Sequence, residues 1–167
     1  AACAIAHFAG IDAEVIAKVL REFQGVEHRI ELCNEIDGIR FVNDSKGTNP
    51  DAAIRAIEAM KRDIILIAGG YDKGASFDEF VNAFDGKVKA LVLLGKTATK
   101  IKEAAEKAGF TNTVILKDME ACVREAYRLA ESGDVVLLSP ACASWDMYTS
   151  FEQRGEHFKA CVRELER

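Results

Sequence analysis

No apolar run in this chain approaches the roughly 20 residues that a helix needs to cross a bilayer. The longest, such as Ile64-Ile65-Leu66-Ile67-Ala68, have the length of a strand. A charged leader with an apolar stretch and a small-residue cleavage site is missing too, so the expectation is a cytoplasmic chain with no membrane partner. Runs of Lys and Arg are also absent. With 22 basic against 27 acidic residues and a formal charge of −5, nucleic acid has no electrostatic footing here. The five cysteines (Cys3, Cys33, Cys122, Cys142, Cys161) are odd in number and form no C-x-x-C pair, which argues for reduced thiols rather than a disulfide framework or a zinc knot. His7, His28 and His157 lack a ligand spacing, so no metal site is expected among them. Internal repeats and low-complexity segments are not found, and no G-x-S-x-G elbow supports a serine nucleophile.

What is present fits one ordinary globular domain: 167 residues, 49% hydrophobic and 29% charged. Residues 1–8 read as the middle of a helix, without a cap or an initiator Met, so the expectation is a piece of a longer protein. Gly10 ends that helix and Asp12 caps a second one at 13–23, with Val15, Ile16, Val19 and Leu20 on one face. Residues 24–26 then read as a connector, and everything before them can belong to a preceding domain.

The rhythm then changes. Residues 29–36 and 39–43 alternate like strands around Asp37-Gly38, a strong two-residue hairpin signal. Helices are expected at 51–60, 77–84, 98–108, 119–131 and 151–165, and strands at 63–68, 88–94, 113–116 and 134–138. In the last helix Phe151, Phe158, Val162 and Leu165 share a stripe that reads as core packing. Continuously apolar strands joined by amphipathic helices specify an α/β fold. The expectation is a three-layer, Rossmann-like domain whose sheet is mostly parallel, with an antiparallel hairpin at its start.

In such sheets ligands gather beyond the carboxyl ends of the strands. Three loops leaving those ends are unusual. The first is Asn43-Asp44-Ser45-Lys46-Gly47-Thr48-Asn49-Pro50. Asn49 is a good helix cap and Pro50 suits the first helical position, so the loop feeds a helix N-terminus that favours an anion. Lys46 adds a positive charge, Asp44 can accept hydrogen bonds from sugar hydroxyls, and Gly47 lets backbone approach a phosphate or carboxylate. The plain alternative is a well-capped turn with solvated charges. The second loop, Gly69-Gly70-Tyr71-Asp72-Lys73-Gly74, places Lys73 to meet a carboxylate or phosphate, and Ser76-Phe77-Asp78-Glu79 after it reads as a capping box. In the third, Ser139-Pro140-Ala141-Cys142-Ala143-Ser144-Trp145-Asp146, small residues lead to a hydroxyl donor beside an aromatic ring of the kind that loops keep only when it buries something. Gly95-Lys96-Thr97 ends like a phosphate-binding loop, but Ala90 stands where the first glycine is required, so it reads as a strand end and helix start.

These segments, with His28-Arg29 and Phe151-Glu152-Gln153-Arg154-Gly155, resemble the Mur ligases over about residues 24–167. The Asp-Ser-Lys and Ser-Pro-Ala-Cys-Ala-Ser stretches are similar to those of the member that adds D-glutamate. The resemblance implies an ATP-dependent ligase of peptidoglycan synthesis that joins D-glutamate to UDP-N-acetylmuramoyl-L-alanine through an acyl phosphate. It implies His28, Arg29, Asp44 and Lys46 at ATP, with Asp44 on the ribose and Lys46 near the reacting phosphates. Thr48, Lys73, Ser144, Trp145 and Phe151 would form the D-glutamate pocket, with Lys73 and Thr48 on carboxylates. Lys46 and Thr48 are the candidate catalytic residues. It further implies that residues 1–25 are the helical tail of a central ATPase domain, that residues 26–167 are the C-terminal amino-acid-binding domain, and that Mg is bound mainly by the central domain. Partners would be the chain's own N-terminal and central domains, and the isolated piece would be inactive. Two rivals stand beside this reading: a non-catalytic nucleotide-binding module, and another glutamate-adding amide ligase such as one that extends folate.

Overall fold

The computed structural model describes residues 1–23 and 25–166. Gln24, within the expected connector, and Arg167, the last residue of the expected C-terminal domain at 26–167, lie outside the described residues. Two helices come first, α1 (Ala2–Phe8) and α2 (Ala13–Glu22). Gly10, at φ +82°, turns the chain between them, and Asp12 Oδ1 accepts the Glu14 N–H at 2.7 Å as the expected cap. They pack on each other and bury no residue. The apolar face of α2 stays open, with Val15, Val19 and Leu20 all more than half exposed.

The remaining elements build one sheet of six strands in the order β1-β2-β6-β3-β4-β5. They are β1 (Glu31–Ile36), β2 (Ile39–Asn43), β3 (Ile64–Ala68), β4 (Val88–Leu93), β5 (Thr113–Ile115) and β6 (Val135–Leu138). Only β1 and β2 run antiparallel; the other neighbours are parallel. The hairpin turns on Asp37 and Gly38 at φ +51° and +78°, the paired left-handed conformation that suits the twist of the strands.

Strand period then sorts the side chains into two cores. Ile64, Leu66 and Ala68 of β3 face one way, against α3 (Pro50–Ala59), α4 (Asp78–Asn82) and α5 (Ala98–Lys107). Ile65 and Ile67 face the other way, against α6 (Met119–Leu129) and α7 (Phe151–Glu164). The fold is therefore the expected three-layer, mostly parallel α/β domain with an antiparallel hairpin at its start. No described helix is long and apolar enough to cross a membrane.

Three local expectations need correction. The first strand starts at Glu31 rather than Arg29, because His28 and Ile30 adopt φ +62° and +46° and break the extended run. The capping box at 76–79 does not close. Ser76 Oγ accepts the Asp78 N–H at 3.3 Å and donates to Asp78 Oδ2 at 2.8 Å, so α4 begins without a side-chain cap and is only five residues long. On α7, Phe158 and Val162 are buried and Leu165 packs against the same core, but Phe151 leaves the stripe and lies 6.0 Å, edge to face, from the His28 ring.

Candidate functional site

Strands β2, β6 and β3 are adjacent and parallel, so the loops after Asn43, Leu138 and Ala68 leave one sheet edge side by side. The helices after β2 and β3 cover one face of the sheet and the helix after β6 covers the other. The chain thus parts in opposite directions at β6, which opens a crevice of the kind where open α/β sheets bind ligands.

The first loop is fixed mostly by its own buried polar groups. Asn43 is fully buried: Oδ1 accepts from Ser45 N–H at 3.0 Å, while Nδ2 reaches His28 Nδ1 at 2.9 Å and Glu31 Oε2 at 3.0 Å. With Nδ1 accepting, the His28 proton sits on Nε2. Asp44 is 4% exposed, and its two oxygens accept from Ile30 N–H at 3.3 Å and Ser139 Oγ at 2.7 Å. Burial holds its carboxyl above the usual range, opposed by the Ser139 bond and by the nearby Arg29 charge. A Cβ on Gly47 would lie 2.6 Å from Asp44 Oδ2 and 2.9 Å from Ser139 Oγ, so that glycine makes room for this pair. Asn49 Oδ1 accepts the Ala52 N–H at 2.9 Å and Pro50 opens α3, as expected.

Beneath the loops lies a buried arginine. Arg154, 2% exposed, donates from Nε to Ser45 Oγ at 3.0 Å, from Nη2 to the Ser45 carbonyl at 2.8 Å and from Nη1 to the Cys142 carbonyl at 3.1 Å. Ser45 Oγ in turn donates to the Phe151 carbonyl at 2.7 Å. One guanidinium therefore ties the first loop, the third loop and the start of α7 together. Burial pushes it down to about 10, which leaves it charged at neutral pH.

Of the expected site residues, Thr48 and Lys73 line one small cleft of about 30 Å³ between the three loops, with Pro50, Tyr71, Ala141 and Cys142. Lys73 Nζ stands 5.3 Å from the centroid of the Trp145 ring, itself 5.8 Å from Tyr71. Lys46 Nζ stands 5.1 Å over Phe151, beside His28. Arg29 is exposed. Ser144 is 2% exposed, and its carbonyl accepts from Met147 and Tyr148. Ser144, Trp145 and Phe151 do not line the cleft itself. Trp145 is 63% exposed, and its ring faces the Lys73 ammonium. Cations at 29, 46 and 73 with hydroxyl donors at 48 and 144 make an edge suited to an anionic ligand.

Larger depressions lie elsewhere, about 210 Å³ between α1 and α2 and about 320 Å³ beside β1 and the end of α3. Among the described residues the one cluster of metal-type side chains is Glu27, His28 and Glu156. Lys159 Nζ already sits 2.7 Å from both carboxylates, and a histidine nitrogen is a poor partner for a hard dication, so these groups do not fit magnesium.

From sequence, Arg154, Ser139 and Asn43 carried no expected role. Arg154 had a signal: it lies four residues before Phe158 on the apolar stripe of α7, where an unpaired charge does not belong.

A family model described as the glutamate ligase domain of Mur ligases matches residues 28–142. UDP-N-acetylmuramoylalanine–D-glutamate ligase of Thermoanaerobacter sp. (strain X514) is 58% identical over all of this chain and 37% of its own length. That of Clostridioides difficile (strain 630) is 56% identical over 99% of the chain and 37% of the relative. The chain thus spans little more than a third of these relatives. Among solved structures, UDP-N-acetylmuramate-alanine ligase of Thermotoga maritima superposes with a TM-score of 0.71 at 16% identity, covering 97% of this chain and 36% of that one. Bifunctional folylpolyglutamate synthase/dihydrofolate synthase of Yersinia pestis gives 0.63 at 16% identity, covering 94% and 35%. At those identities the structures show the fold alone.

Two outcomes follow from the buried groups. Arg154→Met keeps the bulk but strands the Ser45 and Cys142 acceptors, and is expected to lower unfolding stability by about 3 kcal/mol in urea titration; an unchanged midpoint would contradict the tying role. The raised Asp44 pKa means that the folded state holds that proton more tightly than the unfolded chain, so its contribution is present at low pH and lost as pH rises. The stability of the natural protein minus that of Asp44→Asn is therefore expected to fall as pH rises above the ordinary aspartate value of about 4. A flat or rising difference would overturn this.

Proposed function

The chain belongs to the Mur ligase family, and from that premise we propose that it supplies the amino-acid-binding edge of an ATP-dependent ligase joining D-glutamate to UDP-N-acetylmuramoyl-L-alanine. The observation that carries the reading is the convergence of Thr48 and Lys73 in one cleft, on a chain 58% identical to a D-glutamate ligase.

In this reading Lys73 and Thr48 hold the carboxylates of D-glutamate, with the Ser144 hydroxyl, the Phe151 ring and Trp145 on the rim. Lys46 lies beside the reacting phosphates, with His28 and Arg29 next to the nucleotide. Asp44 reaches a ribose hydroxyl through lone pairs that Ser139 and Ile30 leave free. The acceptor's carboxylate takes the γ-phosphoryl group of ATP, giving an acyl phosphate and ADP. The amine of D-glutamate then attacks the carbonyl carbon, the bond to the phosphate oxygen breaks, and the nitrogen loses a proton. The side chains of this edge act by positioning and by charge. Residues 1–25 are the tail of a central ATPase domain, residues 26–167 the amino-acid-binding domain, and magnesium is held by residues outside this chain. The activity belongs to cytoplasmic peptidoglycan synthesis, and so to cell shape and division, and the chain alone does not perform it.

The test is phosphate release by the natural full-length protein. It is expected to need ATP, D-glutamate and the UDP-linked acceptor together. Lys73→Met is expected to raise the KM for D-glutamate about 100-fold, the loss of a charge-assisted bond of about 2.7 kcal/mol, with the KM for ATP within about twofold. L-glutamate serving as well as the D isomer, or release without any amino acid, would sink the reading.

A further inference from the structure

We propose that the turn after β4, Gly95-Lys96-Thr97, is a clasp that positions the amino-acid cleft by holding the Lys73 loop and the Ser144 loop at a fixed separation. The clasp rests on the functional reading above only for what the cleft binds. None of its three residues lines the cleft, so it acts through the loops it grips.

Thr97 grips the first of these loops. It is 1% exposed, and both its backbone and its side chain engage Gly70, three residues before Lys73. Thr97 N–H donates to the Gly70 carbonyl at 3.0 Å, and the hydroxyl donates to the same carbonyl at 2.9 Å. The hydroxyl oxygen accepts the Gly70 N–H at 3.0 Å and has Cys142 Sγ at 3.2 Å. Its single proton goes to the Gly70 carbonyl, so Cys142 is the donor of that last contact. Cys142 itself lines the cleft and belongs to the third loop, and burial keeps its thiol protonated, at about 11.

The grip on the third loop comes from Asp146, next to Trp145. Asp146 Oδ2 accepts the Lys96 N–H at 2.9 Å, just ahead of α5, where an anion is favoured. Its Oδ1 is buried with no partner among the described residues, so the Lys96 N–H is the one hydrogen bond this carboxylate has there. The loops also zip directly, Gly69 N–H to the Pro140 carbonyl at 2.9 Å and Tyr71 N–H to the Ala143 carbonyl at 2.8 Å.

Glycine makes this close meeting possible. Gly95 is at φ +78°, and a Cβ there would run into the Asp146 carboxylate and lie 2.9 Å from Gly70 Cα. Gly70 is at φ +143°, and a Cβ there would run into the Ala143 carbonyl. The resemblance of Gly95-Lys96-Thr97 to a phosphate-binding loop thus has another physical account: the helix N-terminus takes the chain's own carboxylate, and the threonine holds a neighbouring loop.

The test compares Thr97→Val, Thr97→Ser and Asp146→Ala in the natural full-length protein. Hydrogen exchange comes first, because it needs no ligand. In Thr97→Val the Gly70 and Tyr71 amides are expected to exchange at least about tenfold faster, while amides of β3 and β4 hold their rates. Thr97→Ser, which keeps the hydroxyl, restores protection. Kinetics come second: Thr97→Val and Asp146→Ala are each expected to raise the KM for D-glutamate about tenfold, with kcat and the KM for ATP within about twofold. Exchange at Gly70 and Tyr71 unchanged in Thr97→Val overturns the clasp, as does parallel loss of both KM values. If Thr97→Val fails to fold, Asp146→Ala decides the same question, read at the Lys96 amide: faster exchange there supports the clasp and an unchanged rate overturns it. If exchange responds as expected but no glutamate-dependent phosphate release exists in the natural protein, the clasp stands and the functional reading falls.

Discussion

A single buried positive charge organises the working edge of this domain. Arg154 has no carboxylate partner among the described residues; a hydroxyl and two carbonyl oxygens from two loops surround its guanidinium. Taking such a group out of water costs several kcal/mol, which is recovered only if its donors are met. That requirement fixes Ser45 and Cys142 against α7, and through the Ser45 hydroxyl it fixes Phe151 as well. The same charge, kept from solvent beneath loops that carry Lys46 and Lys73, adds to a positive field at the place where an anionic ligand is expected. Stability and function then make one demand on this residue.

The sheet order supplies the space. Because β6 slots between β2 and β3 and sends its helix to the opposite face, three loops that are remote in sequence become neighbours. Each contributes a different chemistry: the first a buried polar scaffold with Thr48, the second Lys73 on a glycine-rich turn, and the third Ser144 on a run of small residues. Gly47, Gly70 and Gly95 allow these loops to touch, since a Cβ at any of them would meet another loop's atoms.

Much of the fold was legible because local physics decides it. The Asp37-Gly38 turn, the Asn49-Pro50 helix start and the continuously apolar run at 64–68 each carry their own signal, and each stands in the structure as expected. The site was legible only as loops. Thr48 and Lys73 were placed together by resemblance, and the cleft brings them together. What escaped is what depends on distant partners. Arg154 meets Ser45 across 109 positions, and Thr97 meets Gly70 across 27, so neither pairing leaves a local trace. The left-handed turns at His28 and Ile30 escaped for a related reason: the alternation around them looks like strand, while the bend is held by partners such as Asp44, accepting from Ile30 N–H, and Lys46, donating to the His28 carbonyl. Trp145, singled out as a large ring in a loop, stands exposed against Tyr71 and Lys73.

The most direct measurement is a difference electron-density map of the natural full-length protein, crystals soaked with D-glutamate set against crystals soaked with L-glutamate. The account predicts density for the D isomer between the three loops, one carboxylate on Lys73 and Thr48 and the molecule within reach of Ser144. Density for both isomers alike at that edge, or for D-glutamate at some other place, would contradict it.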